Sequence, residues 1–230
     1  MSAWEFRRVS GTVAELHQQS ALLVAGPVAG RQVRAYVPTD RALVLGSGQP
    51  AEHADSAACA AQEVQVVRRR SGGGAVLVEA TGMVWVDLAV PADDPLWRPD
   101  VSQSAGWAGE AWARALAGAG LSDLQVWPGP MLRREWSSVV CFAGLAAGEV
   151  TRPGGEPGAK IVGISQRRTR YGAIFQCACL LRWEPATLVG LLSLDDAQKQ
   201  RATVDLAALA FGAGQDKGDE IAANLLAVLP

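Results

Sequence analysis

The chain has 230 residues, 49% of them hydrophobic and 19% charged, with a formal net charge of -2. This is the composition of a globular protein. The small negative balance argues against a nucleic-acid-binding protein, and no apolar run is long enough to span a bilayer. The N-terminal "MSAWEFRRVS" lacks the apolar core of a signal peptide, and four cysteines in this length do not make a disulfide framework, so a reducing cytoplasm is expected.

In chain order, "TVAELHQQS" carries Thr12 and Glu15 at capping-box spacing. Short strands are expected at 21–26 and 31–37, and another at 41–49 that ends in glycine turns. Residues 64–70 and 75–80 read as neighbouring strands joined by the turn "SGGG". "MVWVDLAVP" is a strand that stops at Pro91. Residues 100–120 have helical spacing, with Trp107, Ala111, Ala115 and Leu116 on one face. Strands follow at 124–127, 137–144, 159–166 and 172–183, then helical patterns at 185–192 and 218–229. "TRPGGEPGAK" reads as a mobile lid rather than a linker. The whole predicts an α/β (α+β) fold: a mixed, largely antiparallel sheet packed with helices, in a single domain over 1–230.

Absences narrow the chemistry. Only His17 and His53 are histidines, so a histidine-built metal site is not expected. Three lysines, Lys160, Lys199 and Lys217, stand among 21 basic side chains. A lone lysine opening the apolar run "AKIVGISQ" therefore asks for a reason. "RRRSGGGAV" poses a second question, because arginines run into three glycines. Glycine lets a ligand lie against the main chain, successive N–H groups can cradle an anion, and Arg69 and Arg70 offer fork-shaped donors for phosphate or carboxylate. A plain glycine hairpin with solvated arginines would read the same way.

"RRRSGGGAV" followed by "KIVGISQRR" resembles the lipoate–protein ligase A family, which shares a catalytic fold with biotin protein ligases. The resemblance covers roughly residues 41 to 190, with "RALVLGSGQ" before the glycine loop and "GAIFQCACLL" after the lysine. It implies attachment of a lipoyl or octanoyl group to a lysine of a lipoyl domain or of a glycine cleavage H-like protein. Ligases of the family use ATP and Mg2+ and form an acyl-adenylate. Transferases take octanoyl from acyl carrier protein through a cysteine thioester and need neither. A relative that only binds an acyl group or a lipoyl domain is the third possibility. The ligase is the leading expectation, with no nucleic-acid or membrane partner.

The resemblance names Lys160 as the central catalytic group, able to stabilise charge on a carbonyl or phosphoryl oxygen. It assigns substrate or cofactor binding to Arg69, Arg70, Ser71, Gly72, Gly73, Gly74, Ala75, Gly163 and Ser165, with Arg69 and Ser71 at the polar end of the ligand. Cys141, in "VVCFAGLAAGEV", resembles the nucleophile of the transferases, and Glu149 falls where such segments carry an acid; a small buried hydrophobe fits Cys141 equally well. Cys177 and Cys179 share a strand face and read as packing. The chain departs from the family at Val78, Glu79 and Met83, where histidine, aspartate and asparagine are usual. It also stops where larger ligases continue into an accessory domain, so none is expected here.

Overall fold

The computed structural model describes residues 4–101, 103–153 and 158–230. The elements in order are β1 (Glu5–Gly11), α1 (Val13–Leu22), β2 (Gln32–Pro38), β3 (Arg41–Leu45), α2 (Ser56–Ala61), β4 (Val64–Arg68), β5 (Val76–Val78) and β6 (Met83–Pro91). There follow α3 (Gly106–Gly118), β7 (Gln125–Val126), β8 (Val150–Arg152), β9 (Ala159–Thr169), β10 (Gly172–Leu180), α4 (Pro185–Gly190), α5 (Asp196–Ala207) and α6 (Gly218–Val228). Among the described residues no helix is long and apolar enough to cross a membrane. The centre of the loop expected to act as a lid, residues 154–157, lies outside the described residues.

Two sheets face each other. The larger has seven strands in the order β1-β2-β6-β10-β9-β8-β7, all antiparallel except the β1–β2 pair. The smaller has the order β4-β3-β5. One face of the large sheet is largely apolar. Val86, Leu88, Phe175 and Cys177 pack there against Trp112 and Leu116 of α3 and Ile221 and Leu225 of α6. The helical spacing around Trp112 supplies that stripe, and Gly109 allows α3 to approach the turn before β8, since a Cβ there would lie 2.1 Å from the Gly148 carbonyl oxygen. The small sheet buries Leu43 and Leu45 against α2, α4 and α5, through Cys59, Leu188 and Leu206. Its other face, with Ala42, Val44 and Val78, meets Trp85 and Tyr36 of the large sheet and Leu16 of α1.

Three sequence expectations are corrected. Residues 64–70 and 75–80 are not neighbours: β3 lies between them, parallel to β4 and antiparallel to β5. The reason is α2, a six-residue Ala-rich helix capped by Asp55, which turns β3 and β4 into a parallel crossover and leaves only the far edge for β5. Residues 21–26 are not a strand. The capping box of Thr12 and Glu15 starts α1, and the helix carries the chain to Leu22 before a turn. Residues 137–144 are not a strand either, but two 3-10 turns, Glu135–Ser138 and Cys141–Ala143.

Candidate active site

The glycine loop and the turn that carries Cys141 are tied by backbone. Ala75 N donates to Val139 O at 2.7 Å, and Cys141 N donates to Ala75 O at 3.0 Å. The three glycines have separate reasons. Gly73 has φ +95, which side chains rarely adopt. A Cβ on Gly74 would lie 2.5 Å from Val140 backbone atoms, so Gly74 permits the close approach of the Cys141 turn. Around Gly72 there is open space, with nothing within 4 Å of a built Cβ. A Cβ on Gly73 would lie 3.5 Å from Cys141 Sγ, so the loop and the thiol are in contact range.

Arg69 holds this loop from inside. It is buried, and its guanidinium donates to the carbonyls of Gly72 and Gly74, both at 2.8 Å, and of Val44 at 3.3 Å. Its fork is thus largely used by the loop itself. Ser71 is buried with its hydroxyl unpartnered, while Arg70 is exposed.

Lys160 opens β9 and is buried at 2% exposure. Its backbone is clamped by the segment before the chain's end helix, through Leu209 O and Phe211 N. Its ammonium donates to Cys141 O and to Glu149 Oε2, each at 3.0 Å, and sits 4.9 Å from the centre of the Phe142 ring. Glu149 is itself fully engaged: Oε2 accepts from Ala146 N at 2.7 Å and Oε1 from Ile164 N at 3.1 Å. The pair is therefore a buried, charge-balanced prop beneath the Cys141 turn. Gly163 makes room for it, since a Cβ there would meet Phe142 at 3.3 Å and Glu149 Oε1 at 3.6 Å.

Between the two sheets lies one cleft of about 90 Å3, with Lys160 and the three glycines outside its lining. Arg69, Cys141, Phe142, Glu149 and Gly163 stand at one end, while Ser165, Gln176 and His17 stand at the other. Val44, Val76, Val78, Met83 and Trp85 form apolar walls. Cys141 is half-buried and faces the cleft; Cys177 and Cys179 are fully buried in the layer under α3, where burial pushes their thiols up. The sheet thus brings Lys160, Cys141, Arg69, Gly163 and Ser165 together with the glycine loop. Arg70 and Ser71 stand beside the cleft rather than in its wall.

Sequence reasoning missed the far end. His17 stacks on Trp85 with ring centroids 4.6 Å apart, its Nε2 is buried without a partner, and burial followed by the nearby Arg69 charge pulls its pKa down to about 4. Asp87 lies one strand over, fully buried, accepting from Trp85 Nε1 at 3.3 Å, and burial pushes its pKa up to about 7. A lone acid inside the apolar strand "MVWVDLAVP" was the available signal.

A cavity with apolar walls and a thiol beside a glycine loop suits an acyl chain whose carbonyl rests near sulfur. It suits a triphosphate less well. Lys160 is neutralised by Glu149, and Glu79, where the family usually has aspartate, is committed to ion pairs with Arg41 and Arg182. Among the described residues no group of three or more His, Cys, Asp or Glu side chains could hold a metal ion.

Comparison with known proteins finds the same fold elsewhere. Similar structures include the bipartite lipoate protein ligase of the archaeon Thermoplasma acidophilum, described with its E2 lipoyl domain, with a TM-score of 0.75 at 18% identity over 99% of this chain and 82% of that one. A lipoate-protein ligase A bound with ATP superimposes with a TM-score of 0.70 at 17% identity, covering 97% of this chain and 82% of that one. A P. falciparum protein, LipL1, in complex with lipoate gives 0.65 at 10% identity, over 98% and 61%. No curated protein matches. These likenesses establish a shared fold. Residues 16–208 match the family described as the Lipoyl protein ligase A/B catalytic domain, and the chain belongs to that family of lipoate ligase and transferase enzymes.

Proposed function

We propose that this protein moves a medium-length acyl group, octanoyl or lipoyl, from a thioester donor to a lysine of a lipoyl domain, with Cys141 as the covalent carrier. The observation that supports this reading is the division of labour at the cleft: the Cys141 thiol faces the cavity beside the glycine loop, while the Lys160 charge is already balanced by Glu149. The sulfur attacks the donor carbonyl, the C–S bond to the carrier thiol breaks, and the departing thiol takes the proton Cys141 gave up. The acceptor lysine then attacks the Cys141 thioester, forming the amide and restoring the thiol. Lys160 has three N–H donors and two are used, by Cys141 O and Glu149. The third serves the developing oxyanion. Gly72, open on one side, gives the acyl carbonyl its passage against the backbone.

The acceptor is assigned as a lipoyl domain or a glycine cleavage H-like protein. The similar archaeal ligase is described with its E2 lipoyl domain. Acyl carrier protein is the donor of this scheme. The reaction is placed in the cytoplasm, where a working thiol stays reduced. A second reading, acid activation by ATP and Mg2+, is favoured by Lys160 and by the similar ligase bound with ATP. On that route the substrate's negative groups must take Lys160 from Glu149.

Incubation with apo lipoyl domain decides between them, with octanoyl carrier protein in one arm and octanoate plus ATP and Mg2+ in the other. The acceptor should gain an octanoyl mass in the first arm. Gain only in the second assigns the ligase reading. No gain in either leaves a binding protein and rejects both.

A further inference from the structure

The glycine loop turns its carbonyls inward. Arg69 Nη2 holds two of them, donating to Gly72 O and Gly74 O at 2.8 Å each. The Gly73 carbonyl faces the neighbouring end of β3, since a Cβ on Gly46 would lie 1.9 Å from its oxygen. In a trans peptide the C=O and the N–H of the next residue point in opposite directions. The N–H groups of Gly73, Gly74 and Ala75 therefore point away from whatever holds those carbonyls. Ala75 shows where that direction leads: its N–H meets Val139 O at 2.7 Å, on the segment that runs into Cys141. The N–H groups of Gly73 and Gly74 have no acceptor among the described residues.

Of these two free donors, Gly73 is the one beside the sulfur. A Cβ on it would lie 3.5 Å from Cys141 Sγ. The Gly73 nitrogen is about 2.5 Å from that Cβ position, which puts it within about 6 Å of the sulfur. In a tetrahedral adduct on Cys141 the oxyanion lies about 3 Å from the sulfur, and its donor nitrogen about 3 Å further on, so the geometry fits. Gly73 is also exposed and outside the cleft's lining. An acyl chain lies in the cleft while its carrier stays in solvent, so the carbonyl between them rests at this boundary. Arg69 is buried, and its charge is spent on peptide carbonyls. A cation on a peptide oxygen polarises that peptide and strengthens the N–H at its other end.

We propose that Arg69 is a positioning residue of the acyl transfer: by holding the Gly72 and Gly74 carbonyls it presents the Gly73 N–H to the oxyanion that forms on Cys141. This rests on the reading of Cys141 as the acyl carrier. As the sulfur lone pair forms the new C–S bond, the π pair of the donor carbonyl moves onto oxygen, where the Gly73 N–H meets it. As the carbonyl re-forms, the bond to the carrier sulfur breaks, and the departing thiolate takes up the proton that Cys141 released. Arg69 touches none of the reacting atoms and acts through the loop.

Two reactions of the same sulfur separate this role from that of a loop staple. Acylation by octanoyl carrier protein passes through an oxyanion, whereas alkylation by iodoacetamide does not. In single turnovers Arg69→Gln should slow acylation by about 100-fold, the scale of losing one oxyanion donor, with alkylation of Cys141 within about threefold of wild type. Added guanidinium should restore acylation to Arg69→Ala. Placing glycolic acid at position 73 exchanges the N–H for an ester oxygen, leaves Arg69 in place and removes no N–H bond of the resting loop. It should slow acylation to a similar extent and spare alkylation. Near-normal acylation in Arg69→Gln or in the position 73 ester overturns the inference and leaves the thioester reading standing. So does a joint loss of both reactions that guanidinium does not restore. A wild type that octanoyl carrier protein does not acylate rejects both.

Discussion

At the sulfur end of the cleft, the buried cation Lys160 is matched by Glu149 and roofed by Phe142. At the far end, His17 stacks on Trp85 with its Nε2 buried and unpartnered. A buried charge with an internal counter-ion props up backbone, and here the backbone is that of Cys141. A buried group without one loses its charge: burial holds the His17 pKa down at about 4. The contrast therefore separates a charge kept by its partner from a group kept neutral by burial.

The largest effect expected at the sulfur end comes from Cys141→Ser. A hydroxyl keeps the size but is a far weaker nucleophile, so steady-state transfer from octanoyl carrier protein should fall by about 1,000-fold or more. Retention of ATP-dependent acylation in the same variant would move the chemistry away from sulfur. Lys160→Arg keeps a charge but not the compact ammonium that reaches Cys141 O and Glu149 together. Transfer should drop by at least about 100-fold, the scale of removing one oxyanion donor. Near-normal turnover would leave Lys160 as a prop alone.

Breaking the pair from its other side reads stability. Glu149→Gln leaves a buried ammonium without its counter-ion, and denaturant unfolding should show a loss of about 3–5 kcal/mol. A loss under about 1 kcal/mol would mean that water, not Glu149, balances Lys160.

Smaller effects come from the polar groups under α1, and their signs oppose. His17 titrates at 6.5 ordinarily and about 4 when folded, so its contribution to stability is intact above pH 6.5 and lost as pH falls toward 4. Asp87 has its pKa raised from 3.8 to about 7, so its contribution is present at low pH and lost as pH rises through that window. Thermal unfolding of Asp87→Asn should therefore show a gain over wild type at pH 8 that shrinks at pH 5. His17→Gln should flatten the acid side. A uniform shift across pH in either variant would place the titration elsewhere.

The parts legible in sequence were those whose physics is local. "SGGG" is a loop because its backbone needs glycine, and Lys160 stands out because lysine is scarce and opens an apolar strand. The capping box of Thr12 and Glu15 was visible, but the helix it starts was not followed to Leu22, so His17 was never placed against Trp85. The order β4-β3-β5 was hidden because the crossover helix is only six residues of Ser, Ala and Cys, too short to show a period. Cys141 could be read either as a strand hydrophobe or as a nucleophile, since its 3-10 turn is anchored by Ala75 across the glycine loop as well as by local bonds.

The thioester is the claim on which the proposed function turns, and the intact mass of the protein tests it most directly. After brief mixing with octanoyl carrier protein, without ATP or acceptor, the wild type should gain one octanoyl group. Hydroxylamine should remove it, apo lipoyl domain should discharge it, and Cys141→Ser should not acquire it. An unmodified wild type, or an adduct that persists in Cys141→Ser, would contradict a reaction carried by this sulfur.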